Sequence, residues 1–128
     1  TDNAGEIGFD SLVIAMLKDM GKKVTLVVKE PAYFEDATME DALFYGLDQV
    51  ADKLIAVNKV FVPGKGAGPV RRAYRDSDLL VVKGTGNYDA LKGETGGKAA
   101  IFLLKIKCDP IAKDTGVNEG KFVVRLEK

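Results

Sequence analysis

Hydrophobic spacing divides the chain into alternating helical and extended stretches. Over residues 3–20, Phe9, Leu12, Val13, Met16, Leu17 and Met20 recur at the three-to-four-residue interval of a helix. Asn3 and Glu6 have capping-box spacing at its start, and Gly21 is placed to stop it. The β-branched run 24–28 predicts a buried strand, followed by a loop over 31–37. Thr38 with Asp41 opens a short helix that Gly46 closes. A short strand is expected at 54–57, with a continuation through 60–62, before a glycine-rich loop at 63–69. A turn of helix follows at 70–75 and a strand at 79–83. Next come a tight turn at 84–87, a helix starting over 88–92 and a strand at 100–106. Asp109-Pro110 opens another helix, with proline in its first turn, Gly116 ends it, and 122–126 is the last strand.

Strands that alternate with helices and read as continuous apolar runs predict an α/β fold. The architecture expected is a three-layer sandwich: a largely parallel sheet with helices on both faces. The runs 24–28, 79–82 and 100–104 are then mutually parallel strands of one sheet. Such folds collect ligands beyond the carboxyl ends of their strands. Asp36 falls in the loop after 24–28, Lys83 to Asn87 follow 79–83, and Lys107 sits just past 100–106. Asp2 and Asn3 stand where a strand would normally precede them.

Composition narrows the chemistry. A length of 128 residues, 46% apolar and 30% charged, suits one α/β domain spanning 1–128 with a core of its own. Nineteen basic and nineteen acidic residues cancel, which gives no support to nucleic-acid binding. The charge is divided, however: residues 1–50 carry −6 and residues 51–128 carry +6, as an acidic metal cradle and a basic anion cradle would. No apolar run approaches the ~18 residues of a membrane span. No charged-then-apolar leader is visible, and the single Cys108 fits a reducing compartment, so a cytoplasmic location is expected. Cys108 itself reads as a small buried hydrophobe. The chain has no His, which removes His-based nucleophile systems and His-containing zinc motifs. Any metal site must use oxygen donors, which points to magnesium or manganese. An opening at Thr1 rather than Met, hard against a polar motif, points to a piece or a processed form of a longer protein.

Each candidate motif has a plain alternative. Asp2-Asn3-Ala4-Gly5-Glu6 is explained by helix capping through Asn3 and Glu6, or by a carboxylate and an amide oxygen presented to a hard cation. Asp36 either favours the positive end of the next helix or completes an Asp2–Asn3–Asp36 oxygen set. Glu35 beside it either adds a carboxylate or faces solvent. Lys83-Gly84-Thr85-Gly86-Asn87 is a βα turn capped by Asn87, or an amide cradle for phosphate with Lys83 as counter-charge. It is not a dinucleotide fingerprint, because Asp89 stands where the third glycine is required. The run 93–98 fails as a P-loop, having Lys92 and Ala99 at two required positions, and reads as a surface loop. Lys105 and Lys107 should share a side by strand alternation, so one of them is expected to lie outside the regular strand.

Taken in order, Asp2-Asn3-Ala4-Gly5-Glu6, Asp36-Ala37-Thr38, Lys83-Gly84-Thr85-Gly86-Asn87 and Lys107-Cys108 resemble the motifs of the metal-dependent damage-control phosphatases. That family is also described as acidic-residue methyltransferase-like and was long catalogued as a domain of unknown function. The resemblance implies an α/β sandwich that holds a divalent ion and hydrolyses phosphate monoesters of small metabolites such as sugar phosphates. It implies metal ligation by Asp2, Asn3 and Asp36, with magnesium or manganese favoured and nickel or cobalt also possible. Lys83, Gly84, Thr85, Gly86, Asn87 and Lys107 would bind the substrate phosphate. Asp2, Asp36 and Lys83 would be catalytic, an Asp acting as base or as nucleophile. The partner implied is a small phosphorylated metabolite, with neither nucleic acid nor membrane, and an N-terminal segment or chain completing the protein. The chain would then be the C-terminal catalytic part. A non-catalytic metal- or phosphate-binding module is the alternative, and a carboxyl methyltransferase ranks last because no adenosyl-cofactor fingerprint is present. Relatives commonly have Asn where Glu35 stands.

Overall fold

The computed structural model describes residues 1–58, 61, 63 and 68–128. Residues 60 and 62 of the strand continuation expected at 60–62, and most of the loop expected at 63–69, lie outside them. Residues gather into two compact units, 1–60 and 61–128, described in turn.

The first unit runs α1 (Ile7–Asp19), β1 (Thr25–Lys29), α2 (Met39–Phe44), α3 (Leu47–Val50) and β2 (Lys53–Val57). The two strands are parallel, in register from Thr25 opposite Lys53 to Lys29 opposite Val57. Leu26 and Val28 of β1 meet Ile7 and Ile14 of α1, Ala37, Ala42 of α2 and Leu47 of α3 in one core. Thr38 caps α2 as expected: its backbone N–H donates to Asp41 Oδ2 at 2.8 Å, and its hydroxyl accepts from the Asp41 amide. These bonds hold the Asp41 carboxyl below its usual pKa. Gly46, at φ 67, ends α2 and at once opens α3, a four-residue helix absent from the expected elements. Lys18 pairs with Asp52, which also accepts from the Val24 amide at 2.7 Å and so ties α1 to the starts of both strands.

Helix α1 departs from expectation in two ways. It starts at Ile7 rather than Asn3; Glu6 is its N-cap and makes no side-chain capping bond. Its buried face is Ile7, Asp10 and Ile14, whereas Phe9, Leu12, Val13, Met16 and Met20 are exposed. The helix is apolar on more than one side, so periodicity alone selects the wrong stripe.

The second unit runs α4 (Gly68–Asp76), β3 (Leu79–Lys83), α5 (Thr85–Leu91), β4 (Ala99–Lys105), α6 (Asp109–Thr115) and β5 (Phe122–Glu127). Strands β3 and β4 are parallel, and β5 adds antiparallel to β4. The expected parallel pairing therefore holds within each unit, while the described strands form two hydrogen-bonded sheets in place of one. Alternation along β4 sends Ala100, Phe102 and Leu104 to the side where Tyr88 and Leu91 of α5 and Ile111 of α6 complete a core. On the opposite face, Leu79, Val81, Phe122, Val124 and Leu126 are exposed, and Val81, Ile101 and Leu126 stand in one register row. Helices α5 and α6 supply the residues that cover the first face.

Residues 93–98 form the expected loop, exposed at Gly93, Glu94, Gly96 and Gly97 and anchored at its middle and end. Thr95 is buried, its carbonyl accepts from the Tyr74 hydroxyl at 2.7 Å, and the Lys98 ammonium donates to the Ser77 carbonyl at 2.5 Å. Cys108 is exposed, not buried. No helix among the described residues is long and apolar enough to cross a membrane.

A polar network links α5, α6 and β5. The Tyr88 hydroxyl donates to Asp114 Oδ2 and accepts from Arg125 Nη1 at 3.1 Å, and Lys92 reaches Asp114 at 3.3 Å. Burial, then the bond to Asp114, pushes Tyr88 up to about 12, and the same bond lowers Asp114. Asp114 therefore stabilises the fold above its ordinary value near 3.8 and loses that contribution as pH falls through its lowered value. The Tyr88 contribution is complete below pH 10 and drains away as pH rises toward 12. Tyr88→Phe, which keeps the ring on Phe102, should lower the melting midpoint by about 5 °C at pH 7 and flatten both limbs of the stability–pH curve. Thermal melts from pH 3 to pH 11 check this.

Candidate active site

The backbone of residues 35–38 is stitched on two sides. On one side Asn3 forms an antiparallel bridge with Asp36, the Ala4 amide donates to the Glu35 carbonyl at 2.8 Å, and the Ala37 amide donates to the Asp2 carbonyl at 2.7 Å. On the other side Lys29, the last residue of β1, bridges Thr38, and its amide donates to the Ala37 carbonyl at 2.9 Å. Bridge partners sit about 5 Å apart at Cα with side chains on one face, so Asn3 and Asp36 are within reach of one small ion. The backbones of Asp2, Asn3 and Asp36 thus meet at the carboxyl end of β1: the bridge aligns Asn3 with Asp36, and the Asp2 carbonyl accepts from the residue after Asp36. Asn3 is spent on this bridge and not on a helix cap.

Lys29 was not among the residues singled out from sequence. Its side chain is buried, and Nζ lies 3.9 Å from Asp36 Oδ2. Burial lowers its pKa, and the charges of Asp36 and Asp2 push it back up. The available signal was a charged residue closing an apolar strand immediately before the Asp36 loop. Asp10 of α1 is also buried, in a helix whose sequence pattern is otherwise apolar. The Glu35 side chain is exposed.

The oxygen set fits a hard divalent ion. Among the described residues, no group of three or more His, Cys, Asp or Glu side chains is placed to hold a metal. What the bridge aligns is the Asp36 carboxylate and the Asn3 amide oxygen, with Asp2 the next residue along the chain. That is too few donors for an all-protein calcium cage and suits an ion that keeps several waters, such as magnesium or manganese.

In the second unit, Lys83 ends β3 opposite Leu103. Gly84, at φ 88, turns the chain into α5, and its amide donates to the Leu103 carbonyl at 2.9 Å. A side chain could not take this φ without strain. Gly84, not Asn87, is the N-cap; the Asn87 amide group donates back to the Lys83 carbonyl at 2.8 Å and locks the turn. Thr85 and Gly86 fill the first turn of α5, and a Cβ built on Gly86 would meet no atom within 4 Å. Lys107 is exposed just beyond β4, outside the regular strand, while Lys105 remains in it with its ammonium over the Phe122 ring. A hollow of about 370 Å³ lined by Tyr88, Lys92, Gly93, Asp114, Arg125 and Glu127 includes none of the expected site residues.

Residues 1–123 match a family described as the damage-control phosphatase ARMT1-like domain. The chain belongs to this family. It is 39% identical to a damage-control phosphatase of Archaeoglobus fulgidus over 98% of this chain and 44% of that protein. It is 30% identical to a damage-control phosphatase of Pyrococcus horikoshii over 100% of this chain and 45% of that protein. The crystal structure of a DUF89 family protein from Pyrococcus horikoshii superposes with a TM-score of 0.88 at 32% identity, covering 100% of this chain and 46% of that one. The chain therefore spans less than half the length of these relatives. The α/β fold and the ARMT1-like family implied by the motif order are both found.

Proposed function

We propose that the chain carries the catalytic residues of a metal-dependent phosphatase acting on phosphate monoesters of small metabolites, sugar phosphates among them. The observation that supports this most is the bridge between Asn3 and Asp36, which joins residues 33 apart in sequence and which helix capping would not need. Membership of the ARMT1-like family supports the reaction class.

In this reading Asp2, Asn3 and Asp36 hold a magnesium or manganese ion, with nickel and cobalt weaker fits to an all-oxygen set. The ion, when bound, supplies Lewis acidity toward a phosphoryl oxygen. Lys83 and Lys107 offset the charge that shifts among the phosphoryl oxygens, and the backbone of Gly84, Thr85, Gly86 and Asn87 orients the phosphate. One of Asp2 and Asp36 also serves either as the base that takes the proton of the attacking water or as the nucleophile toward phosphorus.

The test is hydrolysis of p-nitrophenyl phosphate after chelation. Activity should be absent in the stripped protein and return on adding magnesium or manganese, at a level at least about tenfold above the chelated sample. Undiminished hydrolysis in chelator overturns the metal requirement. Metal binding without turnover on any phosphomonoester overturns the enzyme reading in favour of a binding module.

A further inference from the structure

Lys29 is the one buried lysine among the described residues. An ammonium taken from water needs compensating charge, and here it comes from Asp36, 3.9 Å away, and from Asp2. The lysine is also fixed by its backbone: its amide bonds Ala37, it bridges Thr38, and it stands in register with Val57 of β2. The backbone of Lys29 is therefore fixed, and its side chain is buried with the ammonium 3.9 Å from the Asp36 carboxylate.

The charge arithmetic has consequences. Asp2 and Asp36 together carry −2, and Lys29 brings the site to −1. A divalent ion raises it to +1. With a neutral residue at 29, the same states would be −2 and 0. Lys29 thus opposes metal entry while leaving the loaded site positive toward a phosphate dianion.

We propose that Lys29 is a charge-setting and positioning residue of the phosphatase site: it orients the Asp36 carboxylate and keeps a surplus positive charge for the substrate phosphate. This rests on the proposed function, in which Asp2, Asn3 and Asp36 bind a divalent ion.

Lys29→Met and Lys29→Gln test it, with Lys29→Arg as the charge-conserving variant. Manganese binding is measured by calorimetry, inorganic phosphate binding by competition on the manganese-loaded protein, and KM and kcat on p-nitrophenyl phosphate. The neutral variants should bind manganese about tenfold more tightly and phosphate about tenfold more weakly, with KM rising more than kcat falls. Lys29→Arg should keep both affinities within about threefold of wild type. Manganese affinity unchanged or weaker in the neutral variants, or phosphate affinity retained, overturns the inference. If the neutral variants are unfolded when stripped but fold on adding manganese, the prediction is met as stability, since the carboxylate pair then depends on the ion. If they stay unfolded with manganese, Lys29 serves the fold alone and the inference fails. Absence of manganese binding in wild type is a different result: it overturns the proposed metal site itself.

Discussion

Asp36→Ala should reduce phosphatase activity to background and weaken manganese binding by on the order of a hundredfold or more, the largest change expected from any single substitution. Two losses coincide. The variant removes one of the two carboxylates in the proposed set, and it takes away the carboxylate that lies 3.9 Å from the Lys29 ammonium. The second loss destabilises the fold, so the variant should melt below wild type even without metal. Asp36→Asn separates the two effects, because it keeps the shape of the side chain while removing its charge. Calorimetry with manganese on wild type and both variants, alongside thermal melts, checks the prediction. Equal manganese affinity in all three proteins would remove Asp36 from the ligand set.

Lys83→Ala should lower kcat/KM by on the order of a hundredfold, as when one stabiliser of transition-state charge is removed. Metal affinity should stay within a few-fold of wild type, since Lys83 is assigned to phosphate and not to the ion. This split distinguishes Lys83 from Asp36, for which both quantities fall. Lys105→Ala is the matched control: that ammonium lies over the Phe122 ring, and its loss should leave turnover unchanged. A Lys83→Ala protein with wild-type kcat/KM would make Lys83 a solvated strand end.

Sequence alone revealed what is local. The apolar runs of β1, β3 and β4, the Thr38–Asp41 cap, and the proline and glycine bounding α6 all act within a few residues, and each was found where expected. What failed was non-local or ambiguous in period. Asn3 has the spacing of a cap, and nothing near it in sequence signals that it pairs with Asp36. Lys29 escaped because the strand was read to end where its apolar run ended, one residue early. The antiparallel sense of β5 was hidden because the helix α6 before it usually announces a parallel crossover. Here the chain leaving α6 returns to the end of β4 that it left, with the Ile106 amide bonded to the Lys121 carbonyl and the Gly120 amide to the Ile106 carbonyl. The motif order carried the family because it records the site residues in the sequence in which the strands deliver them, even though each motif alone has a plainer explanation.

The open side of the β3–β4–β5 sheet has a consequence for handling the polypeptide in solution. Leu79, Val81, Phe122, Val124 and Leu126 present a plane of aliphatic and aromatic carbon to water. Each such side chain gains roughly 1.5–3 kcal/mol when fully covered, so the plane is a standing source of adhesion. Formal neutrality withholds the long-range repulsion that keeps strongly charged proteins apart. Clustering should therefore grow with concentration and with sulfate, ease at low ionic strength, and be accompanied by uptake of apolar dyes by protein whose backbone is fully folded.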